Sequence, residues 1–334
     1  MMGVRSRIEA ITRRIAVPCV AVMLTMSAAH AQVPLDTLLS GVVQIKTVMD
    51  PDARTNTNLG REREGTGIVI DDNGLVLTIG YLMVEAQTAE VRTNDGRTIP
   101  ANVVGYDHES GLGLLQAILP LKVRPLSMSR SANVKPDDKV IVASFGGVQA
   151  AAPARVIAKK EFAGSWEYLL DDAIFTAPPH MAWSGAALIN HEGKLVGVGS
   201  LILSDANGHG VPGNMFVPID RLPPILSDLI AQGRASGPAR PWLGVSTNQI
   251  GDRLLLSQVT PQGPGEKAGL KKGDIVVGVG GEKPKGLADF YRKVWSRGEA
   301  GATVPLDIER EGEERHVDVQ SMNRLDHLKL RTTY

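Results

Sequence analysis

Cysteine is all but missing from this chain: its 334 residues include 1, Cys19. That residue lies in an apolar run near the N-terminus, behind Pro18 where a lipid-attachment signal would carry a small residue. The remainder of the chain, having no thiol, can build neither a disulfide framework nor a thiolate metal site. Charge excess is missing too. Lys plus Arg number 36, and so do Asp plus Glu, so the chain has no electrostatic pull towards nucleic acid or an anionic membrane surface. Aromatic residues make up only 4%. Phosphate-loop and metal-cluster motifs are absent, and Gly278-Val279-Gly280-Gly281 lacks the strand-loop-helix setting that a nucleotide site needs. No cofactor and no metal are therefore expected.

What is present fits an exported protein. Arg5, Arg7, Arg13 and Arg14 precede the apolar run Ile15 to Met26, and Ser27-Ala28-Ala29-His30-Ala31 comes after it. This is the order of a secretory signal peptide over residues 1–31, with an A-x-A cleavage site after Ala31. The run is shorter than the roughly 20 residues that cross a bilayer. The expectation is a periplasmic protein with no membrane span after cleavage, and Arg13-Arg14 leaves Sec and twin-arginine export both open.

The 36 Gly and 20 Pro point to many turns joining short strands. Apolar stretches read as strands at Val42 to Ile45, Gly67 to Ile70, Leu75 to Ile79, Ile99 to Val104, Leu112 to Ala117 and Lys139 to Ala143. Others lie at Ala154 to Lys159, Tyr168 to Phe175, Gly185 to Ile189 and Lys194 to Leu201. Asp71-Asp72-Asn73-Gly74 and Asn94-Asp95-Gly96 are expected as hairpin turns. The spacing suggests a β-barrel or sandwich over residues 32–232. A helix from about Leu222 to Gln232, with Pro223-Pro224 in its first turn and Gly233 as its stop, closes that part. Residues 233–240 read as a linker. A second domain occupies 241–322, with strands near Leu254 to Val259, Ile275 to Val279, Val304 to Arg310 and Glu314 to Val319, and a helix from about Leu287 to Ser296. The tail over 323–334 has no apolar period, and the stretch from Met322 onward is expected to be loosely held.

Several segments carry a more specific signal. Gly65-Thr66-Gly67-Ile68-Val69-Ile70, the turn after it and Leu75-Val76-Leu77-Thr78 resemble the strand pair that leads to the catalytic histidine of HtrA (Deg) type serine proteases. Ala182-Trp183-Ser184-Gly185-Ala186-Ala187-Leu188 is similar to the G-N-S-G-G-P-L loop of that family, which places Ser184 at the nucleophile. Val104-Gly105-Tyr106-Asp107-His108-Glu109-Ser110-Gly111-Leu112 resembles the segment that carries its aspartate. Gly213-Asn214-Met215-Phe216-Val217-Pro218 matches the exit from the protease domain. Trp242-Leu243-Gly244-Val245 and Gly265-Glu266-Lys267-Ala268-Gly269-Leu270-Lys271-Lys272-Gly273-Asp274-Ile275-Val276 resemble a PDZ domain. The resemblance implies a mainly β fold, a chymotrypsin/trypsin-like double β-barrel followed by an α+β PDZ domain.

Two triad positions depart from the family. Tyr81 stands where the histidine is expected and Gly111 where the aspartate is expected. A serine hydroxyl needs a base within hydrogen-bond reach and a third group that orients the base, and a phenol of ordinary pKa near 10 supplies no such base. The oxyanion-hole positions Ala182, Trp183 and Ser184 depart as well, because the family's glycine is Ala182. His180 and His108 are the candidates for a substitute base. Asp107 and Glu109 read as solvated turn residues. In the second domain the resemblance implies a peptide site at Trp242, Leu243, Gly244 and Val245, with Leu287 and Val294 on the opposite wall and a strand-addition mode of binding. Phe290 reads as core. These readings converge on a catalytically inactive homologue that binds peptide C-termini or unfolded segments in quality control or regulation. The partners implied are C-terminal carboxylates and a homo-oligomer, a trimer by resemblance with Val33 to Leu39 as the contact, or a mixed assembly with an active relative. The alternatives are an active serine endopeptidase with a non-standard base and a chaperone-like scaffold.

Overall fold

The computed structural model describes residues 34–330; the expected signal peptide lies outside them. The first six strands are β1 (Val42–Met49), β2 (Glu62–Val69), β3 (Leu75–Ile79), β4 (Ala86–Arg92), β5 (Thr98–Tyr106) and β6 (Leu112–Ala117). They close into a barrel in the order β1-β2-β3-β6-β5-β4. The next six are β7 (Lys139–Ala143), β8 (Ala151–Gly164), β9 (Tyr168–Ala177), β10 (Ala187–Ile189), β11 (Leu195–Leu203) and β12 (Gly213–Pro218), closed in the order β10-β11-β12-β9-β8-β7. Closure leaves neither sheet with an unpaired edge.

Local chemistry fixes the hairpins. Asp71 Oδ1 accepts from the N–H of Leu75 at 2.8 Å and turns β2 into β3. Asn94 donates to the carbonyls of Leu39 and Val42 and accepts from the N–H of Gly146, so its turn links the first barrel to the start of the second. One apolar cluster runs between the barrels, with Leu39, Ile68, Leu77, Ile79, Leu112 and Leu114 from one side and Leu170, Phe175, Val198 and Met215 from the other. Each such fully buried aliphatic or aromatic side chain contributes about 1.5–3 kcal/mol. Leu39 is wholly buried there, within the short helix Leu35–Leu39.

The helix after the barrels spans Pro223–Gln232, with Pro in its first turn and Gly233 in the left-handed conformation at φ 75°. The carbonyl of Gly233 accepts from the N–H of Tyr106 at 3.1 Å, which docks the helix end on β5. Beyond the linker come β13 (Val245–Ile250), β14 (Arg253–Val259), β15 (Ile275–Val279), β16 (Thr303–Arg310) and β17 (Glu313–Gln320), an antiparallel sheet in sequence order. The helix Leu287–Trp295 buries Leu287, Phe290, Tyr291 and Val294 on one face, the i, i+3, i+4, i+7 stripe that an amphipathic helix presents to a core.

The C-terminal sheet is fastened at both ends. Before it, Arg240 pairs with Glu109 at 2.9 Å and lies over the Trp295 ring, while the Ala239 carbonyl accepts from Ala300. After it, the tail is held tightly through Lys329, against the expectation of a loose end. Met322 bridges Trp242, His327 packs on the Trp242 ring at 4.9 Å, Arg324 Nη1 donates to the Trp166 carbonyl and meets His108 Nε2, and the Lys329 N–H donates to Glu85. These anchors are polar and long-range, so no apolar period announces them.

Candidate functional site

Ser184 lies in the turn that enters β10, and the backbone around it is closely tied. The Ser184 carbonyl accepts from Thr66 at 2.8 Å, Gly185 donates to Gly199 at 2.9 Å, and Ala186 donates to Trp183 at 3.0 Å. Gly185 has φ 75°, and a Cβ there would fall 1.9 Å from the Thr66 carbonyl oxygen, so this turn admits only glycine. The hydroxyl that the turn presents is buried and has no hydrogen-bond partner.

Tyr81 follows β3 in the single turn Gly80–Leu82, where the sequence placed it. Its carbonyl accepts from Arg63 Nη1 at 2.7 Å, and that guanidinium also reaches Thr55 Oγ1. The phenol donates to the Ser200 carbonyl at 2.9 Å. Burial pushes the phenol up to about 12, partly offset by the Ser184 hydroxyl and Trp183 nearby. Ser184 Oγ is thus close enough to perturb the phenol yet makes no hydrogen bond of normal geometry with it.

Gly111 has φ 78°; its N–H donates to Asp107 and its carbonyl accepts from Gly80 at 2.7 Å. A Cβ at this position would sit 3.2 Å from Tyr168 Oη, whose hydroxyl donates to the Ser110 carbonyl at 2.6 Å. The space for an orienting carboxylate is therefore taken by a phenol, beside a backbone conformation that disfavours any side chain. Asp107 is not the solvated turn residue the sequence suggested. It is 9% exposed and its carboxylate accepts from the N–H and hydroxyl of Ser110. Glu109 is exposed, as a turn residue was expected to be, and pairs with Arg240.

Neither candidate histidine is bonded to Ser184. His180 Nδ1 accepts from the N–H of Ala182 at 3.2 Å, which leaves Nε2 protonated and donating to the Ala150 carbonyl. His108 lies between Tyr106 Oη at 2.9 Å and Arg324 Nη1 at 2.7 Å, and burial followed by the Arg324 charge holds its pKa well below the ordinary value. The Ala182 contact also engages an N–H at an expected oxyanion-hole position, so that donor is turned to a side chain of its own loop.

In the C-terminal domain, the N–H groups of Leu243, Gly244 and Val245 converge on an oxygen pair, that of Glu167, the neighbour of Tyr168. Leu243 donates to Glu167 Oε2 at 2.9 Å; Gly244 and Val245 donate to Oε1 at 2.8 and 3.0 Å. Leu287 and Val294 belong to the apolar cluster beside this loop, which also takes in Leu169 of β9.

Comparison with known proteins fits this architecture. The profile of the Trypsin-like peptidase domain matches residues 65–198, and that of the PDZ domain matches 241–320. The chain joins a trypsin-like peptidase domain to one PDZ domain. Its relatives are named as HtrA/DegP-type serine proteases. They include a probable periplasmic serine endoprotease DegP-like of Rhizobium meliloti, 30% identical over 80% of this chain and 56% of its own length. The periplasmic pH-dependent serine endoprotease DegQ of Escherichia coli is 27% identical over 76% of this chain and 58% of its own. This chain thus spans a little over half the length of these relatives. Among solved structures, an HtrA-type protease AlgW with decapeptide aligns at TM-score 0.52 and 20% identity, covering 90% of this chain and 100% of its own. The serine endoprotease from Yersinia pestis aligns at TM-score 0.50 and 21% identity, covering 86% and 97%. These likenesses establish the fold.

Within the PDZ domain, Trp242 contributes chiefly its ring to the tail, against His327, and its backbone to Met322. The residue that sequence reasoning missed is Glu167, one acidic residue in the turn between β8 and β9 of the peptidase domain. No local pattern marks it, because the loop it meets lies in the other domain.

Proposed function

We propose that this chain is a catalytically inactive relative of the HtrA proteases. On this reading it works in the periplasm by binding peptide C-termini or unfolded segments through its PDZ domain, in quality control or in regulation of an active relative through mixed assembly. The observation that carries the inactivity is the partnerless Ser184 hydroxyl beside a neutral phenol. Acyl transfer needs the serine proton to move to a base as the Oγ–carbonyl bond forms. A phenol held near 12 is already protonated at neutral pH, and its hydrogen bond to Ser200 engages it elsewhere. His180 and His108 are bonded to other groups. The tied Ala182 N–H further weakens the stabilisation of a tetrahedral oxyanion. Loss of triad chemistry costs about 10⁶ in turnover.

The periplasmic setting is supported by the relatives' names and by the expected signal peptide. Among the described residues no helix is long and apolar enough to cross a membrane. The test is exposure of the purified mature protein and its Ser184→Ala variant to a fluorophosphonate probe and to unfolded casein. Equal, background signal from both is expected. Stoichiometric labelling and cleavage lost in Ser184→Ala would establish an endopeptidase with a non-standard base instead.

A further inference from the structure

The turn between β8 and β9 does more than touch the PDZ domain. A PDZ groove captures a peptide by two devices, a nest of backbone N–H groups around the terminal carboxylate and strand addition along the adjoining sheet edge. Both are used here by residues of the same chain. The Glu167 carboxylate, on a residue only 5% exposed, accepts from all three N–H groups of Leu243, Gly244 and Val245. The Ser165 carbonyl accepts from Thr247 of β13 at 2.8 Å, a main-chain contact of the kind an added strand would make. On the helical wall, Tyr291 Oη donates to the Gly164 carbonyl at 2.7 Å and accepts from the Glu167 N–H at 3.2 Å. Leu169 and Ala163 pack into the cluster that holds Leu243, Val245, Leu287 and Val294. Arg324 donates to the Trp166 carbonyl at 2.9 Å and closes the turn from the tail. Glu167 itself adopts φ 57°, a conformation uncommon for a non-glycine residue.

We propose that this turn is a built-in ligand of the PDZ groove: Glu167 supplies the carboxylate and Ser165 the strand contact, so a peptide C-terminus enters only by displacing the turn. This rests on the PDZ domain being the peptide-binding site. The energetic logic is that of a tethered competitor. A ligand in the same chain acts at an effective concentration in the millimolar range or above, and a ligand in trans binds with its intrinsic affinity reduced by the fraction of grooves that stand open. The partner is thereby defined by chemistry, as a peptide with a free C-terminal carboxylate behind an apolar residue, presented at high local concentration. Displacement would also withdraw Leu169 and Gly164 from the PDZ domain and so pull on β8 and β9, the latter paired to β12.

The experiment compares the mature chain with its Glu167→Ala and Glu167→Gly variants, each shown to be folded by circular dichroism. One readout is amide hydrogen exchange at 243–247. The other is binding of an N-terminally labelled decapeptide pool, randomised except for an apolar last residue, made as free acid and as C-terminal amide. The expected result is exchange at 243–247 at least tenfold faster in Glu167→Ala, with Leu254 to Val259 unchanged, and acid-pool binding at least tenfold tighter than to the wild type, with no gain for the amide pool. Unchanged exchange, or a wild type that binds the acid pool as tightly as the variant, overturns the built-in ligand. Faster exchange with no binding of either pool leaves the built-in ligand standing and removes the peptide-binding reading. Should Glu167→Ala fail to fold, Glu167→Gly, which suits the backbone at φ 57° and likewise lacks the carboxylate, carries the same comparisons.

Discussion

The Tyr81 phenol donates to the Ser200 carbonyl at 2.9 Å, so the residue at the position of a general base is engaged as a proton donor. Burial raises it to about 12, and burial likewise raises Tyr106 to about 12 and lifts Tyr168 and Tyr291 above the ordinary phenol range. Four of the 5 tyrosines are therefore expected to stay protonated in the folded protein at about pH 10.5, and to ionise together on unfolding. The sign comes from linkage. The folded state keeps protons that the unfolded chain releases near pH 10, so stability holds below that value and falls as pH rises from 10 towards 12. Ultraviolet titration of the native and guanidinium-unfolded protein checks this.

Restoring the missing side chains does not restore the enzyme. In Tyr81→His with Gly111→Asp, the new aspartate must adopt φ 78° with its Cβ against Tyr168 Oη, and the Ala182 N–H still serves His180. Casein cleavage by the double variant is expected to stay within about tenfold of the wild type, far below the roughly 10⁶ of a working triad. A gain of about a thousandfold or more would show that the surrounding backbone is competent after all.

Glu85 is a stability residue. It is 3% exposed and accepts from the N–H groups of Arg54, Thr55 and Lys329 and from the Thr55 hydroxyl. Burial would raise its pKa, but these hydrogen bonds outweigh it and hold the carboxylate below the usual range; the adjacent Arg63 is lowered to about 10 by burial, with Glu85 opposing. Glu85→Ala is expected to cost about 3 kcal/mol at pH 7, the penalty of buried donors and a buried cation left without their partner. The stability that Glu85 confers is present above the ordinary carboxylate pKa and lost as pH falls through the depressed folded value. Urea melts of wild type and variant should therefore differ most at neutral pH and converge in acid.

Docking of the β8–β9 turn should respond to pH. Burial raises Glu167 to about 7, against the N–H groups of Leu243, Val245 and Gly244 and the charge of Arg324, which lower it. The groups that face it are Arg324 from the tail, Tyr291 from the PDZ helix and His108, itself held neutral, from the barrel turn. The docked state binds the proton more tightly than an undocked carboxyl near 4.5, so docking is strongest at low pH and weakens as pH rises from about 4.5 through about 7. Exchange protection at 243–247, corrected for the intrinsic pH dependence, should decline from about pH 5 to about pH 8 and then level off; in Glu167→Gln this decline should vanish.

Much of the fold was legible because buried strands announce themselves. Leu75 to Ile79 emerged with the expected bounds, and the PDZ helix differed by one residue at its end. β4 was harder to read. Its sequence Ala-Gln-Thr-Ala-Glu-Val-Arg offers only small inward residues around Val91, and its strand character comes from pairing with β1. Motif positions placed Tyr81, Gly111 and Ser184 in neighbouring turns, since each adjoins a fixed stretch of strand. What occupies the vacated space was not legible: Tyr168 at the aspartate position and His180 on the Ala182 N–H depend on packing between distant segments. Glu167 is the extreme case, a single carboxylate in a polar turn whose partners lie 76 to 78 residues away.

The fastening of the PDZ domain at both ends limits how it can move. Arg240 on Glu109 secures one end, and Arg324 with Lys329 secures the other against His108, Trp166 and Glu85. A domain so attached cannot swing like a door on one hinge, because each attachment blocks the arc that the other would permit. A larger excursion requires one clasp to open first. Release of the β8–β9 turn from the groove would therefore still leave the domain held to the first barrel, through Arg240 on Glu109 and Lys329 on Glu85.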